Sequence, residues 1–266
     1  RQVLGFIGVG ELALYTIRGL RQGGYRHRIL LSPRNHDKAQ WLAENLNCEV
    51  ETDNQAVVDR SDLVVIATRP PQCLETLSEL EFNSQQTLIS VVAGVSRERL
   101  QAALNNTIEI VRAMPVSSAE VGASPTLIFP DHPAASELFD HCGDVLPVTD
   151  ESLFEMGTVH ACVYSWFFAL FEELIRATES ERLPRELASK LVMGMARGAA
   201  ELALSKSDTA MGDSTGHGST PGRIAGEIAT EGTFSRLGLD LLEQNRAFEP
   251  WRDACELLAD RLDSQS

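Results

Sequence analysis

Short apolar runs alternate with helically spaced apolar positions through the first half of the chain, whereas the second half keeps only the helical spacing. An apolar run ending at Ile7 leads into Gly8-Val9-Gly10, after which Leu12, Tyr15, Ile17 and Leu20 recur as on one helix. Ile29-Leu30-Leu31-Ser32 is a second apolar run, so a strand, helix, strand unit is predicted. The alternation continues with a helix over residues 36–46, a short strand near 48–50, and Leu63-Val64-Val65-Ile66-Ala67, a run buried on both faces as parallel strands are. Runs at 88–92 and 108–112 add two strands, and those at 126–129 and 145–148 two more at the far side of the sheet. The pattern predicts an α/β fold, a Rossmann-like doubly wound sheet over residues 1–150.

From about Asp150 the alternating runs stop, and long helices are predicted over residues 152–178 and 184–206. The first carries Phe154, Met156, Val159, Val163, Trp166, Phe167, Leu170, Phe171, Leu174 and Ile175, more apolar surface than a helix covered on one side needs. Residues 151–266 therefore read as an all-α dimerisation domain. The simplest cover for its apolar face is a second copy of the chain, giving a homodimer or higher homo-oligomer.

Composition narrows the classes. The 266 residues are 43% hydrophobic and 23% charged, ordinary for a globular chain, and no apolar run approaches bilayer-spanning length. A formal charge of −15, spread over both halves, argues against nucleic acid as a partner. Five cysteines without C-x-x-C spacing and six histidines without a ligand pattern give the expectation of no metal and of a reduced, cytoplasmic setting; the chain begins with strand-like rather than targeting sequence.

The chemistry is concentrated at predicted strand exits, where doubly wound sheets bind ligands. Gly8 permits a tight turn, Gly10 removes a Cβ from the path of a phosphate, and the next helix offers unpaired N–H groups to an anion. Val9, Glu11 and Leu12 complete this loop, and Ala13 takes the third position of the dinucleotide fingerprint. At the second strand exit Ser32-Pro33-Arg34-Asn35 replaces the acidic residue that would bind an unmodified ribose. A guanidinium there suits a 2′-phosphate, so NADPH is the expected cofactor. The exits at 67–71 and 92–95 add Ala67, Thr68, Arg69 and Pro70, and Val92, Ala93 and Gly94.

Taken in order, these segments resemble the pyrroline-5-carboxylate reductase family nearly end to end. The resemblance is carried by Gly5-Phe6-Ile7-Gly8-Val9-Gly10, Asn54, Ala67-Thr68-Arg69-Pro70-Pro71-Gln72, Ser90-Val91-Val92-Ala93-Gly94-Val95 and Arg112-Ala113-Met114-Pro115. In the second half it rests on Leu183-Pro184-Arg185-Glu186-Leu187-Ala188, the stretch from Met193 to Ala199, and Ser219-Thr220-Pro221-Gly222. It implies NADPH-dependent hydride transfer to the C=N carbon of an imino acid, with Asn54 and Met114 near the cofactor. It also implies that Ser219, Thr220 and Gly222 contact substrate, from the helical domain of a neighbouring subunit.

The chain departs from the family at the substrate end. Thr220-Pro221-Gly222-Arg223 runs directly into Ile224-Ala225-Gly226, without the family's intervening threonines, and Arg223 stands where glycine is usual. His160-Ala161-Cys162-Val163-Tyr164 replaces a Ser-Gly-Pro-Ala-Tyr stretch, and Val116 an asparagine. Arg223 is thus a candidate carboxylate clamp, and His160 and His217 are candidate proton donors. Two other readings stay open: a β-hydroxyacid dehydrogenase-like C–O oxidoreductase and a non-catalytic NADPH-binding regulator.

Overall fold

The computed structural model describes residues 2–207 and 219–263. Its first part runs β1 (Val3–Ile7), α1 (Glu11–Gln22), β2 (Arg28–Leu31), α2 (His36–Leu46), β3 (Glu49–Val50), α3 (Asn54–Asp59), β4 (Leu63–Ile66), α4 (Pro70–Ser78), β5 (Thr87–Ser90), α5 (Arg97–Ala103) and β6 (Glu109–Met114). After a 3-10 turn at Ser117–Val121 come β7 (Thr126–Phe129), α6 (Pro133–Asp140) and β8 (Val145–Pro147). Five helices follow: α7 (Glu151–Thr178), α8 (Arg185–Ser207), α9 (Pro221–Ile228), α10 (Phe234–Gln244) and α11 (Glu249–Asp263).

The eight strands form one sheet in the order β3-β2-β1-β4-β5-β6-β7-β8. β1 pairs in parallel with β2 on one side and β4 on the other, which creates a topological switch point between β1 and β4. Strand periodicity sorts the core into two layers. Leu4, Phe6, Val65, Ile89 and Val111 pack with Ile17, Leu20, Leu42 and Phe139 on one face; Ile7, Val64, Ile66, Leu88 and Ile110 pack with Val57, Cys73, Leu77 and Leu100 on the other. Burial pushes the thiols of Cys48 and Cys73 up to about 11 and that of Cys142 up to about 12, so these three are packing residues.

Two features go beyond the sequence pattern, and one expectation needs correction. β7 runs antiparallel to β6, because the connection over residues 115–125 carries only the 3-10 turn and is too short for a helical crossover. The buried stripe of α1 is Ala13, Thr16, Ile17 and Leu20; Leu12 and Tyr15 flank it, half-buried. Finally, α7 does reach membrane-spanning length by composition: an 18-residue window has mean hydropathy 1.2, and 22% of it is buried.

Packing divides the chain within α7. Residues to Ala161, with the stretch from Ala259, form one compact unit, and Cys162–Leu258 the other. In the first, Phe154 and Val159 are buried, and Gly157 lets α7 lie close to β7, since a Cβ there would come within 2.1 Å of Leu127 Cδ1. In the second, apolar side chains stay uncovered, among them Phe168, Met195, Phe234 and Leu237. The sheet ends in short edges: β3 has two residues and β8 three, the last being Pro147.

Candidate functional site

The switch point opens a cleft of about 1010 Å³ at the carboxyl ends of β1 and β4, large for a small-molecule site. Its floor is the turn at Gly8, where φ is +89° and a Cβ would lie 2.8 Å from the Ala67 carbonyl carbon and oxygen and 2.9 Å from the Thr68 nitrogen. Glycine is required there on both counts. The Gly8 N–H donates to Ser32 Oγ at 3.0 Å, and Asn35 Nδ2 donates to the Val9 carbonyl at 2.9 Å. The loop after β2 thus fixes the loop after β1.

Gly10 caps α1 without any side-chain hydrogen bond, so the first-turn amides have no side-chain acceptor. A Cβ at Gly10 would meet nothing within 4 Å, which leaves open space in front of those amides. Glu11 is in the first turn, where its charge would oppose an incoming phosphate, but Lys38 of α2 is ion-paired with it. Arg34, exposed on the opposite lip, makes no ion pair or hydrogen bond with the described residues. The buried Thr68 hydroxyl makes no hydrogen bond of regular geometry, and the Cys73 thiol beside it is a weak partner. An uncapped helix start, a weakly partnered hydroxyl and an exposed guanidinium in one cleft fit a nucleotide carrying a pyrophosphate and a further phosphate.

The cleft brings together Gly8, Val9, Gly10, Glu11, Leu12, Arg34, Asn35, Ala67, Thr68, Arg69 and Pro70, from three loops far apart in sequence. Other expected cofactor residues lie elsewhere. Ser32 is buried behind the loop with its oxygen on Gly8; Asn54 begins α3; Val92 is in the second core layer. Ala93 and Gly94 follow it outside the lining, and Met114 is buried at the end of β6. Val91, His36, Asp37, Lys38 and Gln72 line the cleft and were not anticipated. His36 to Lys38 follow Asn35 at the start of a predicted helix, the one signal that pointed to them.

The expected substrate residues are on separate elements. His160 is exposed on α7. In the second unit Ser219 precedes α9, and Thr220 caps it, its oxygen accepting from the Arg223 N–H at 3.3 Å. Gly222 is exposed in the first turn, and Arg223 Nε is 3.1 Å from Glu227 Oε1. His217 lies outside the described residues. The second unit also holds a groove of about 610 Å³ between α7 and α11, where Trp166 and Trp251 meet edge to face at 6.1 Å beside Glu173. Among the described residues no cluster of three His, Cys, Asp or Glu is placed to hold a metal ion.

A charged cluster in the first unit went unnoticed in the sequence. Arg112, on β6, is fully buried; its Nη1 is 2.8 Å from Glu151 Oε1 and also pairs with Glu155, and its Cζ sits 4.5 Å from the Phe154 ring centroid. The signal for it was a cation inside an otherwise apolar strand, Ile-Val-Arg-Ala-Met.

Comparison with known proteins follows the same division. Residues 3–94 match a family described as NADP oxidoreductase, coenzyme F420-dependent, and residues 151–263 match one described as pyrroline-5-carboxylate reductase dimerisation. The pyrroline-5-carboxylate reductase of Pasteurella multocida is 32% identical over 220 residues, covering 76% of this chain and 79% of that protein. The solved structure of 1-pyrroline-5-carboxylate reductase from Streptococcus pyogenes superposes with a TM-score of 0.84 at 23% identity, over 99% of this chain and 98% of the other. That of Plasmodium falciparum pyrroline carboxylate reductase, which has NADP bound, gives 0.84 at 20% identity, over 100% and 98%. The fold agrees over the full length and the sequence over three quarters of it, and the chain belongs to the pyrroline-5-carboxylate reductase family of NAD(P)-dependent oxidoreductases acting on CH–NH bonds.

Proposed function

We propose that this protein binds NADPH in the cleft between β1 and β4 and reduces the C=N bond of an imino acid, pyrroline-5-carboxylate or a related imine. The observation that carries this reading is the meeting, in one cleft, of the uncapped start of α1 and the exposed Arg34. The first-turn amides of α1 and the Thr68 hydroxyl would hold the pyrophosphate, and Arg34 the 2′-phosphate. When bound, the nicotinamide supplies the hydride.

Substrate handling falls to the residues around the start of α9. Thr220 accepts a hydrogen bond from the helix it caps, so its own O–H remains to donate to a carboxylate. Ser219 and the amide of Gly222 are further donors, and Arg223 faces Glu227, so it meets a substrate anion as a guanidinium already held in one orientation. His160, exposed on α7, is the proton donor in this reading.

Incubation with NADPH and a panel of imino acids, ketones and hydroxyacids tests the assignment. Imine-dependent loss of reduced-nicotinamide absorbance is expected. Ketone turnover alone would replace the reading with C–O chemistry, and saturable binding without any turnover would replace it with a regulatory role.

The uncovered apolar faces of α7, α8 and α10, together with the dimerisation-family match over residues 151–263, support self-association through the helical half. Sedimentation at micromolar concentration is expected to give a dimer or larger species. A lone monomer in that experiment would remove this part of the proposal.

A further inference from the structure

Arg112 is on the same face of β6 as Ile110, which belongs to the second core layer, and Met114, which ends the strand. A guanidinium with no exposed surface therefore occupies a position where the sheet otherwise places an apolar side chain. Buried ion pairs are weak contributors to stability, since apolar groups of similar volume often serve as well. Stability alone is a poor reason for this one.

Its connections are more informative. The Glu151 oxygen that takes Arg112 Nη1 at 2.8 Å also accepts the Arg97 N–H at 2.8 Å, the first residue of α5, and Arg97 Nε returns to the Ile110 carbonyl at 3.0 Å. One carboxylate oxygen thus joins β6, the start of α5 and the start of α7. Glu155 adds a second carboxylate, while Nε and Nη2 of Arg112 have no hydrogen-bond partner among the described residues. Just upstream of α5 is the β5 exit loop at Val92–Val95, and two residues beyond Arg112 is Met114. With Arg34 at the β2 side of the switch point, a dinucleotide laid across the strand ends directs its other half toward the exits of β4, β5 and β6.

We propose that Arg112, held by Glu151 and Glu155, is a positioning residue that sets the β6 exit and the β5–α5 loop against α7, and so aligns the nicotinamide half of the cofactor site. The proposal rests on the NADPH reading above. It separates the two halves of that site: Arg112 governs alignment at one end and leaves anchoring of the phosphorylated ribose to Arg34 and the Gly8 loop.

The test compares Arg112→Lys and the milder Glu155→Gln with the unmodified protein, using NADPH and adenosine 2′,5′-bisphosphate, which carries the phosphorylated ribose but no nicotinamide. Fragment affinity is expected to stay within about twofold, whereas NADPH loses most of its advantage over the fragment and the fluorescence of its bound nicotinamide shifts. Where imine turnover is measured, kcat at saturating NADPH falls about tenfold to a hundredfold, the scale of a small misplacement at a reacting centre. Unchanged NADPH-to-fragment affinity and fluorescence in a folded variant, with only the melting temperature lowered, would overturn the proposal. So would equal loss of both ligands. No saturable NADPH binding by the unmodified protein would instead sink the nucleotide reading, and this proposal with it.

Discussion

Gly8→Ala is expected to remove measurable nucleotide binding while leaving a destabilised but folded sheet. The residue sits at φ +89°, and its new Cβ would lie 2.8 Å from the Ala67 carbonyl and 2.9 Å from the Thr68 nitrogen, backbone atoms that cannot turn aside. Placing an L-residue in left-handed conformation costs about 1–2 kcal/mol, and the clash adds to it. Relief requires the β1 and β4 exits to separate. That movement breaks the Gly8 contact to Ser32 and spreads the α1 amides and Thr68, the groups proposed to grip the pyrophosphate. A loss of about a hundredfold or more in NADPH affinity, equivalent to about 2.7 kcal/mol, is the expected result in titration. A melting temperature lowered by several degrees is expected with it, about the effect of a 1–2 kcal/mol loss in a domain of this size. Affinity within a factor of three of the unmodified protein would mean that the nucleotide does not sit on this turn.

Arg34→Ala is expected to act on one phosphate only. Arg34 has no partner among the described residues to leave unsatisfied, so its removal should barely alter stability. A hydrogen-bonded charge pair contributes about 1.5–3 kcal/mol, so NADPH affinity should fall about tenfold to a hundredfold. NADH, which lacks the phosphate, should bind the variant and the unmodified protein alike. The ratio of the two dissociation constants is the decisive number. Equal losses for both cofactors, or none for either, would take the 2′-phosphate away from Arg34 and leave His36 and Lys38, on the same lip, to be tested next.

Much of the architecture was legible because burial on both faces of a parallel sheet writes itself as runs such as Leu63 to Ile66. The three loops of the cleft were legible for a related reason: each lies just past such a run. Orientation within those loops was not. Sequence spacing puts Ser32 at a strand exit, but only the folded chain has its hydroxyl turned back onto Gly8. Val92 likewise follows β5 yet faces the core, leaving Val91 toward the cleft. The reversed direction of β7 depended on the shortness of one connection rather than on any apolar pattern. Arg112 ends the apolar run expected at 108–112, a place where a cation is ordinarily solvated, and the two carboxylates that bury it inside β6 come from a helix some forty residues later.

The brevity of β3 and β8 has a consequence for how copies of this chain meet. An exposed strand flank is a template onto which another chain can add by backbone pairing, and long flat flanks invite open-ended growth. Here one flank offers two residues, Glu49 and Val50, and the other closes on a proline that has no N–H to give. Little backbone is left for ribbon-like extension at either border. Self-association through the helical half, as proposed above, would then rest on side-chain surfaces, and a closed arrangement there would not run on as a fibre.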